Sequence, residues 1–171
     1  MRRAALLSSL LLLGCHPTVD FDLTQSGSGT IPVARGPVGG PVSLTFAIPE
    51  LQNVNPSNLK GFPGNTAKDH VQSARAKKIT LTATDPPGQT LSFLSSVAFS
   101  ISANGLPAVQ FAHLSPFPDA PSADLQLDDA ELAPYLKADS FSITAAVTGT
   151  PQQHPITVQA DLDVGVTATV F

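Results

Sequence analysis

Four histidines, two glutamates and a run of aspartates between residues 119 and 129 are the groups in this 171-residue chain with the means to do chemistry. His16, His70, His113 and His154 share no ligand spacing. A metal site built from the last three would need the fold to gather them, and surface histidines are the simpler reading. Asp119, Asp124, Asp128 and Asp129 are rich enough in oxygen for a hard cation such as calcium. They lack the Asp-x-Asp-x-Asp-Gly order, however, so capping and turn formation account for them first. Glu50 and Glu131, the only glutamates, read as a solvated loop acid and a helix-start acid, not as a glycosidase pair flanking a cleft. No Gly-x-Ser-x-Gly elbow, Gly-rich phosphate loop, His-Glu-x-x-His helix or Cys/His zinc pattern occurs. The expectation is a protein that is not an enzyme, with no metal and no cofactor.

The single cysteine is placed differently. Arg2 and Arg3 precede an apolar run from Ala4 to Leu13, broken only by Ser8 and Ser9, and Gly14-Cys15 follows. A short basic region, about ten apolar residues and a small residue describe an export signal; a membrane span needs ~20. Leu12-Leu13-Gly14-Cys15 resembles the lipobox of bacterial lipoproteins, in which a peptidase cuts before the cysteine and lipid is attached to its sulfur and its new amino group. The resemblance covers the first fifteen residues. It implies that Cys15 is the lipidation site, that residues 1–14 are removed, and that the mature chain is anchored in the bacterial cell envelope. By the sorting rule of enteric bacteria, His16 in place of Asp implies the outer membrane. An ordinary secretory signal containing a cysteine is the alternative.

Removal of residues 1–14 leaves 157 residues, enough for one domain with a real core. Seven Lys and Arg then face thirteen Asp and Glu, a net charge of −6. A body this acidic does not hold nucleic acid by counterion release, nor an anionic membrane by charge. Sixteen prolines and twelve glycines point to many turns, and with one cysteine no disulfide within the chain staples them.

The elements alternate with period two. Val19, Phe21 and Leu23 suggest a short first strand within a tether over residues 16–40, in which Gly27-Ser28-Gly29 reads as flexible or turn-forming. This would set the body some distance from its anchor. Strands are expected at Val42–Ile48, Lys78–Thr84, Leu91–Ala103 with a bulge at Leu94-Ser95-Ser96, Pro107–Leu114, Asp124–Leu127 and Phe141–Val147. Asn104-Gly105 marks a hairpin. Thr66–Lys78 is either a short helix of at most two turns or a strand beginning near Val71. Asp128-Asp-Ala-Glu131 opens a short helix through about Lys137, kept to a turn or two by Pro134. The even-numbered residues from Ile156 to Val170 are all apolar, which pins the register of a long last strand. Asp161 and Asp163 on its polar face read as solubility and protection against edge pairing.

Seven or eight such strands make an all-β antiparallel β-sandwich, immunoglobulin-like in general form with one or two short helical turns; a closed barrel is the alternative. The chain divides into a lipoprotein signal peptide at 1–14, a lipid anchor, tether and possible first strand at 15–40, and the β-sandwich domain at 41–171. The functional expectation is a lipid-anchored, non-catalytic structural or binding module. Its partners are the membrane, through acylated Cys15, and another envelope protein or lipid. The alternative is a carrier holding an apolar ligand between the sheets. The irregular stretch Glu50–Lys68 and the loop Ser115–Pro121 are the expected contact regions.

Overall fold

The computed structural model describes residues 17–33, 41–63 and 67–169; Cys15 and His16 lie outside them. Alternation becomes strand over most of the expected ranges, although Leu91–Phe93 form a bend and turn ahead of their strand: β1 (Thr18–Ile31), β2 (Val42–Ala47), β3 (Val71–Asp85), β4 (Leu94–Ala103), β5 (Leu106–Leu114), β6 (Ser122–Asp124), β7 (Gln126–Leu127), β8 (Phe141–Gly149) and β9 (Ile156–Thr169). One helical segment, α1, spans Ala133–Lys137, and short 3-10 turns lie at Pro49–Leu51, Pro56–Asn58 and Ala67–His70. The strands form two antiparallel sheets, β1-β9-β3-β6 and β2-β8-β4-β5-β7.

The chain crosses from one sheet to the other at nearly every step; only the β4–β5 hairpin and the passage from β7 to β8 stay within a sheet. That wrapping is the jelly-roll form of the β-sandwich. Its inner faces bury one apolar cluster, to which β9 gives Ile156, Val158, Ala160 and Leu162, β4 gives Val97, Phe99 and Ile101, and β8 gives Phe141, Ile143 and Val147. The even-numbered alternation of the last strand is borne out as far as Ala168; Val170 lies outside the described residues. The register shift between Leu94 and Ser96 and the two-residue turn between Ala103 and Leu106, with Gly105 at φ +76°, are also as expected.

Strand β1 departs from expectation. It pairs with β9 over its full fourteen residues, from Thr18↔Thr169 to Ile31↔Ile156, so the region set apart as tether is mostly a strand of the sandwich. Gly27 and Gly29 are not turn residues. They occupy inward positions where a Cβ would lie 2.6 Å from Ile48 Cγ2 and 2.8 Å from Phe46 Cε2, respectively. The missing side chains let the end of β2 from the opposite sheet close against β1. Gly27→Ala is therefore expected to cost about 1–3 kcal/mol through overpacking, because Ile48 is fully buried and has nowhere to move. A urea titration measures it, and a neutral result would mean the sheets separate freely at this corner.

The stretch after Ile48, expected to be free for contacts, is mostly an edge cover. Thr24 N–H donates to Lys60 O at 3.2 Å, and Ser28 N–H donates to the Glu50 carboxylate at 3.2 Å. Gly61, at φ +97°, passes so close to Asp22 O that a side chain there would collide with it. Val54 exchanges backbone hydrogen bonds with Phe141 at 2.8 and 3.0 Å, and Gln52 Nε2 donates to Ile143 O at 2.5 Å. Glu50, read as a solvated acid, is exposed but caps an outward amide of β1. Edge protection thus falls to this loop and not to Asp161 and Asp163, since β9 lies inside its sheet between β1 and β3.

The other end of the polar segment also differs. The single strand expected at Asp124–Leu127 divides between the sheets: β6 pairs with β3, β7 pairs with β5, and buried Leu125 between them donates its N–H to Ile79 O at 2.9 Å. Asp128 and Asp129 precede the helix instead of opening it. Pro134 sits in the first turn of α1, where a missing N–H costs little. Glu131 Oε1 accepts the N–H of Ala133 at 3.0 Å and that of Ala74 at 2.7 Å, which ties the start of α1 to β3. The buried ring of Tyr135 donates its hydroxyl to Pro107 O at 2.6 Å.

Candidate functional site

The sandwich has two outer faces, and register shows how unlike they are. On the five-stranded sheet, rows run across β2, β8, β4 and β5: Ala47, Thr144, Ser100 and Gln110; then Thr45, Ala146, Ala98 and His113; then Ser43, Thr148 and Ser96. Every one of these side chains is small or uncharged except His113. The second and third rows, with Gln110 of the first, line a shallow concavity of about 480 Å³, within the range of ~300–1,000 Å³ of small-molecule sites though open to solvent. Ser43 Oγ and Thr148 Oγ1 are 3.1 Å apart within it. On the four-stranded sheet, four consecutive rows each carry a carboxylate, Asp20, Asp22, Asp163 and Asp161, and β3 adds Arg75, Lys77 and Lys78.

The candidate metal ligands do not converge. His70 ends the turn before β3, His113 stands on the outer face of β5, and His154 is exposed ahead of β9. Asp124 accepts from Thr80 Oγ1 at 2.6 Å and lies 3.6 Å from Lys78 Nζ; the Thr80 hydrogen bond, helped by the Lys78 charge, holds its carboxyl below the usual range. Asp129 pairs with Arg75. Asp128 accepts from Gln110 Nε2 at 2.9 Å, and Asp119 is exposed in the loop beyond β5. Among the described residues no three His, Cys, Asp or Glu side chains form a group able to hold a metal ion.

One pairing was not anticipated. His113 Nδ1 lies 3.0 Å from Asp128 Oδ1, without the alignment of a hydrogen bond, at the rim of the concavity. Ser115, two residues on, donates to Ser95 O at 3.1 Å, and no hydroxyl among the described residues hydrogen-bonds the imidazole. A nucleophile and base are not assembled there. The two loops expected to make contacts lie apart as well: residues 59–63 flank the first half of β1, whereas Pro121 O and Ala120 O accept from Ala83 and Leu91 near the opposite end of the sandwich.

Sequence reasoning missed the uncharged face, although its signal is present. The outward positions of β2, β4 and β8 include Ser-Thr-Ala, Ser-Ala-Ser and Thr-Ala-Thr, while those of β1 read Thr-Asp-Asp-Thr-Ser-Ser-Thr and those of β9 Thr-Gln-Asp-Asp-Gly-Thr-Thr, each with an adjacent pair of carboxylates. The contrast becomes visible only after the strands are sorted into sheets.

No protein-family model matches the chain, and no curated protein matches it. Solved structures that it resembles include the BFDV capsid protein as a decamer, at 16% identity over 90% of this chain and 100% of that chain, with a TM-score of 0.40. The BFDV capsid protein as a 60-mer matches at 14% identity over 93% and 97%, with a TM-score of 0.41. The structure of Cocksfoot mottle virus matches at 12% identity over 100% and 96%, with a TM-score of 0.34. Likenesses of this size carry no argument about function; the jelly-roll assignment rests on strand order.

Proposed function

We propose that this chain is a lipid-anchored, non-catalytic module of the bacterial envelope, probing its surroundings from the outer membrane. Cys15 anchors it, and the uncharged face of the five-stranded sheet binds another envelope protein. The contrast between the two outer faces carries the reading. The four-stranded sheet carries a carboxylate in each of four rows and cations on β3, whereas the three rows of the five-stranded sheet hold no Asp, Glu, Lys or Arg and one titratable side chain, His113, at the rim; such a face suits burial against a partner, since charged residues are depleted at interface cores. The interior supports recognition outside instead of carriage within. A space between the sheets, lined by Leu23, Phe111, Leu136 and Leu162 among others, measures about 30 Å³, far below the ~300 Å³ at the lower end of small-molecule sites.

Crosslinking capture of the intact lipoprotein from its own membranes tests this, with Cys15→Ala and Ala146→Arg beside the natural chain. Ala146 is exposed in the middle of the face. The arginine is expected to abolish capture of the partner while leaving the melting temperature unchanged. Undiminished capture by Ala146→Arg would overturn the assignment of the face, and lipid retained by an anchor-free chain of residues 16–171 with no protein partner would replace it with the carrier.

A further inference from the structure

We infer that the sandwich rests directly on the bilayer, seated on the end that carries Val19, Phe21 and Phe62. The inference depends on lipidation at Cys15. Strand β1 begins at Thr18, three residues beyond the cysteine, and three residues reach at most ~11 Å. The headgroup layer on one side of a bilayer is itself about 5–8 Å thick. A chain leashed this closely holds the start of β1 at headgroup level.

Apolar cover at that end is incomplete on β1, although Val71, Ala74, Val166 and Ala168 in the same rows are buried. The long strands β1, β3 and β9, of fourteen or fifteen residues, outrun the six to ten residues of β2, β4, β5 and β8. Leu23 and Ile31 on the inward phase of β1 are buried, yet Val19 on the same phase is 41% exposed. Phe21 and Phe62, both half-buried, meet edge to face with centroids 6.0 Å apart. Two nearby acids pair with lysines, Asp22 with Lys77 and Asp139 with Lys68 at 2.9 Å, while Asp20, between Val19 and Phe21, accepts from Thr167 Oγ1 at 2.6 Å. Seating therefore depends on the short leash and on apolar contact, and it persists in high salt, where attraction to an anionic surface would be screened.

The chain contains no tryptophan, so one introduced indole reports alone. Val33, 44% exposed just past the opposite end of β1, supplies the control. Full-length lipidated Val19→Trp and Val33→Trp are placed in phosphatidylcholine vesicles with and without brominated acyl chains. The Val19→Trp emission is expected to shift to the blue, to lose intensity to bromolipid and to resist iodide, at low and high salt alike, while Val33→Trp remains open to iodide. Equal iodide access at both sites in a chain that floats with the vesicles would overturn the seating and leave the anchor standing. A chain that carries no lipid and does not float overturns the anchor itself. Deuterium exchange of the unsubstituted protein gives the same reading without a variant: slowed uptake at residues 18–23 and 61–63 on vesicles, unchanged uptake at 86–92, or, against the inference, no slowing at either.

Discussion

A chain that begins at residue 41 is expected not to fold, whereas one that begins at His16 folds. The shorter piece is the domain that composition and turn signals delimit, but it lacks β1. Leu23 and Ile31 leave the core, at about 1.5–3 kcal/mol for each aliphatic side chain that stays in water. Strand β9 loses its hydrogen-bonded neighbour over fourteen positions, and the surfaces of Ile48 and Phe46 that rest on Gly27 and Gly29 are bared. Net stability of an ordinary domain is only ~5–15 kcal/mol, so losses of this kind consume it. The fragment also presents β9 as a long, apolar, uncovered edge, a template for aggregation. Circular dichroism and gel filtration of the two chains decide the matter: a cooperative melt by the 41–171 fragment would mean that β1 is an accessory strand.

Phe99→Ala is expected to be among the most costly single substitutions. The ring is fully buried at the centre of β4 and meets Phe111 edge to face, centroids 6.4 Å apart. Removing a buried Phe side chain costs ~3–5 kcal/mol, part of it for the cavity left behind. The packed interior around it offers little slack. The melting temperature should fall by about 2–4 °C for each kcal/mol in a domain of this size, and the urea midpoint should fall with its slope unchanged. A loss below about 1 kcal/mol, the range of conservative swaps, would show that the core rearranges to fill the space.

How much of this was legible beforehand depends on whether the governing interaction is local. The β9 register, the β4–β5 turn and the bulge after Leu94 follow from alternation and turn chemistry within a few residues, and the structure agrees. The start of β3 was ambiguous because its buried residues, Val71, Ala74 and Ile79, are spaced by three and five. Register shifts after Val71 and Ala76 break the period of two, and a helix-like spacing results. Gly27-Ser28-Gly29 resembles a turn locally; its role as a seat for Ile48 and Phe46 exists only once the opposite sheet arrives. The split of Ser122–Leu127 between two sheets, and the use of Glu50 and Lys60 to cover the edge of β1, are likewise decided by contacts distant in sequence. The candidate face was hidden for the same reason. Its rows join β2, β8, β4 and β5, of which only β4 and β5 are consecutive, and no short window of the chain contains one.

The anchor is the claim on which the functional account stands, and mass spectrometry of the mature protein extracted from its own membranes tests it most directly. The account predicts an amino terminus at Cys15 whose sulfur carries a diacylglyceryl group, lost in Cys15→Ala together with membrane attachment. A mature chain that begins elsewhere, or a Cys15 with an unmodified thiol, would contradict it.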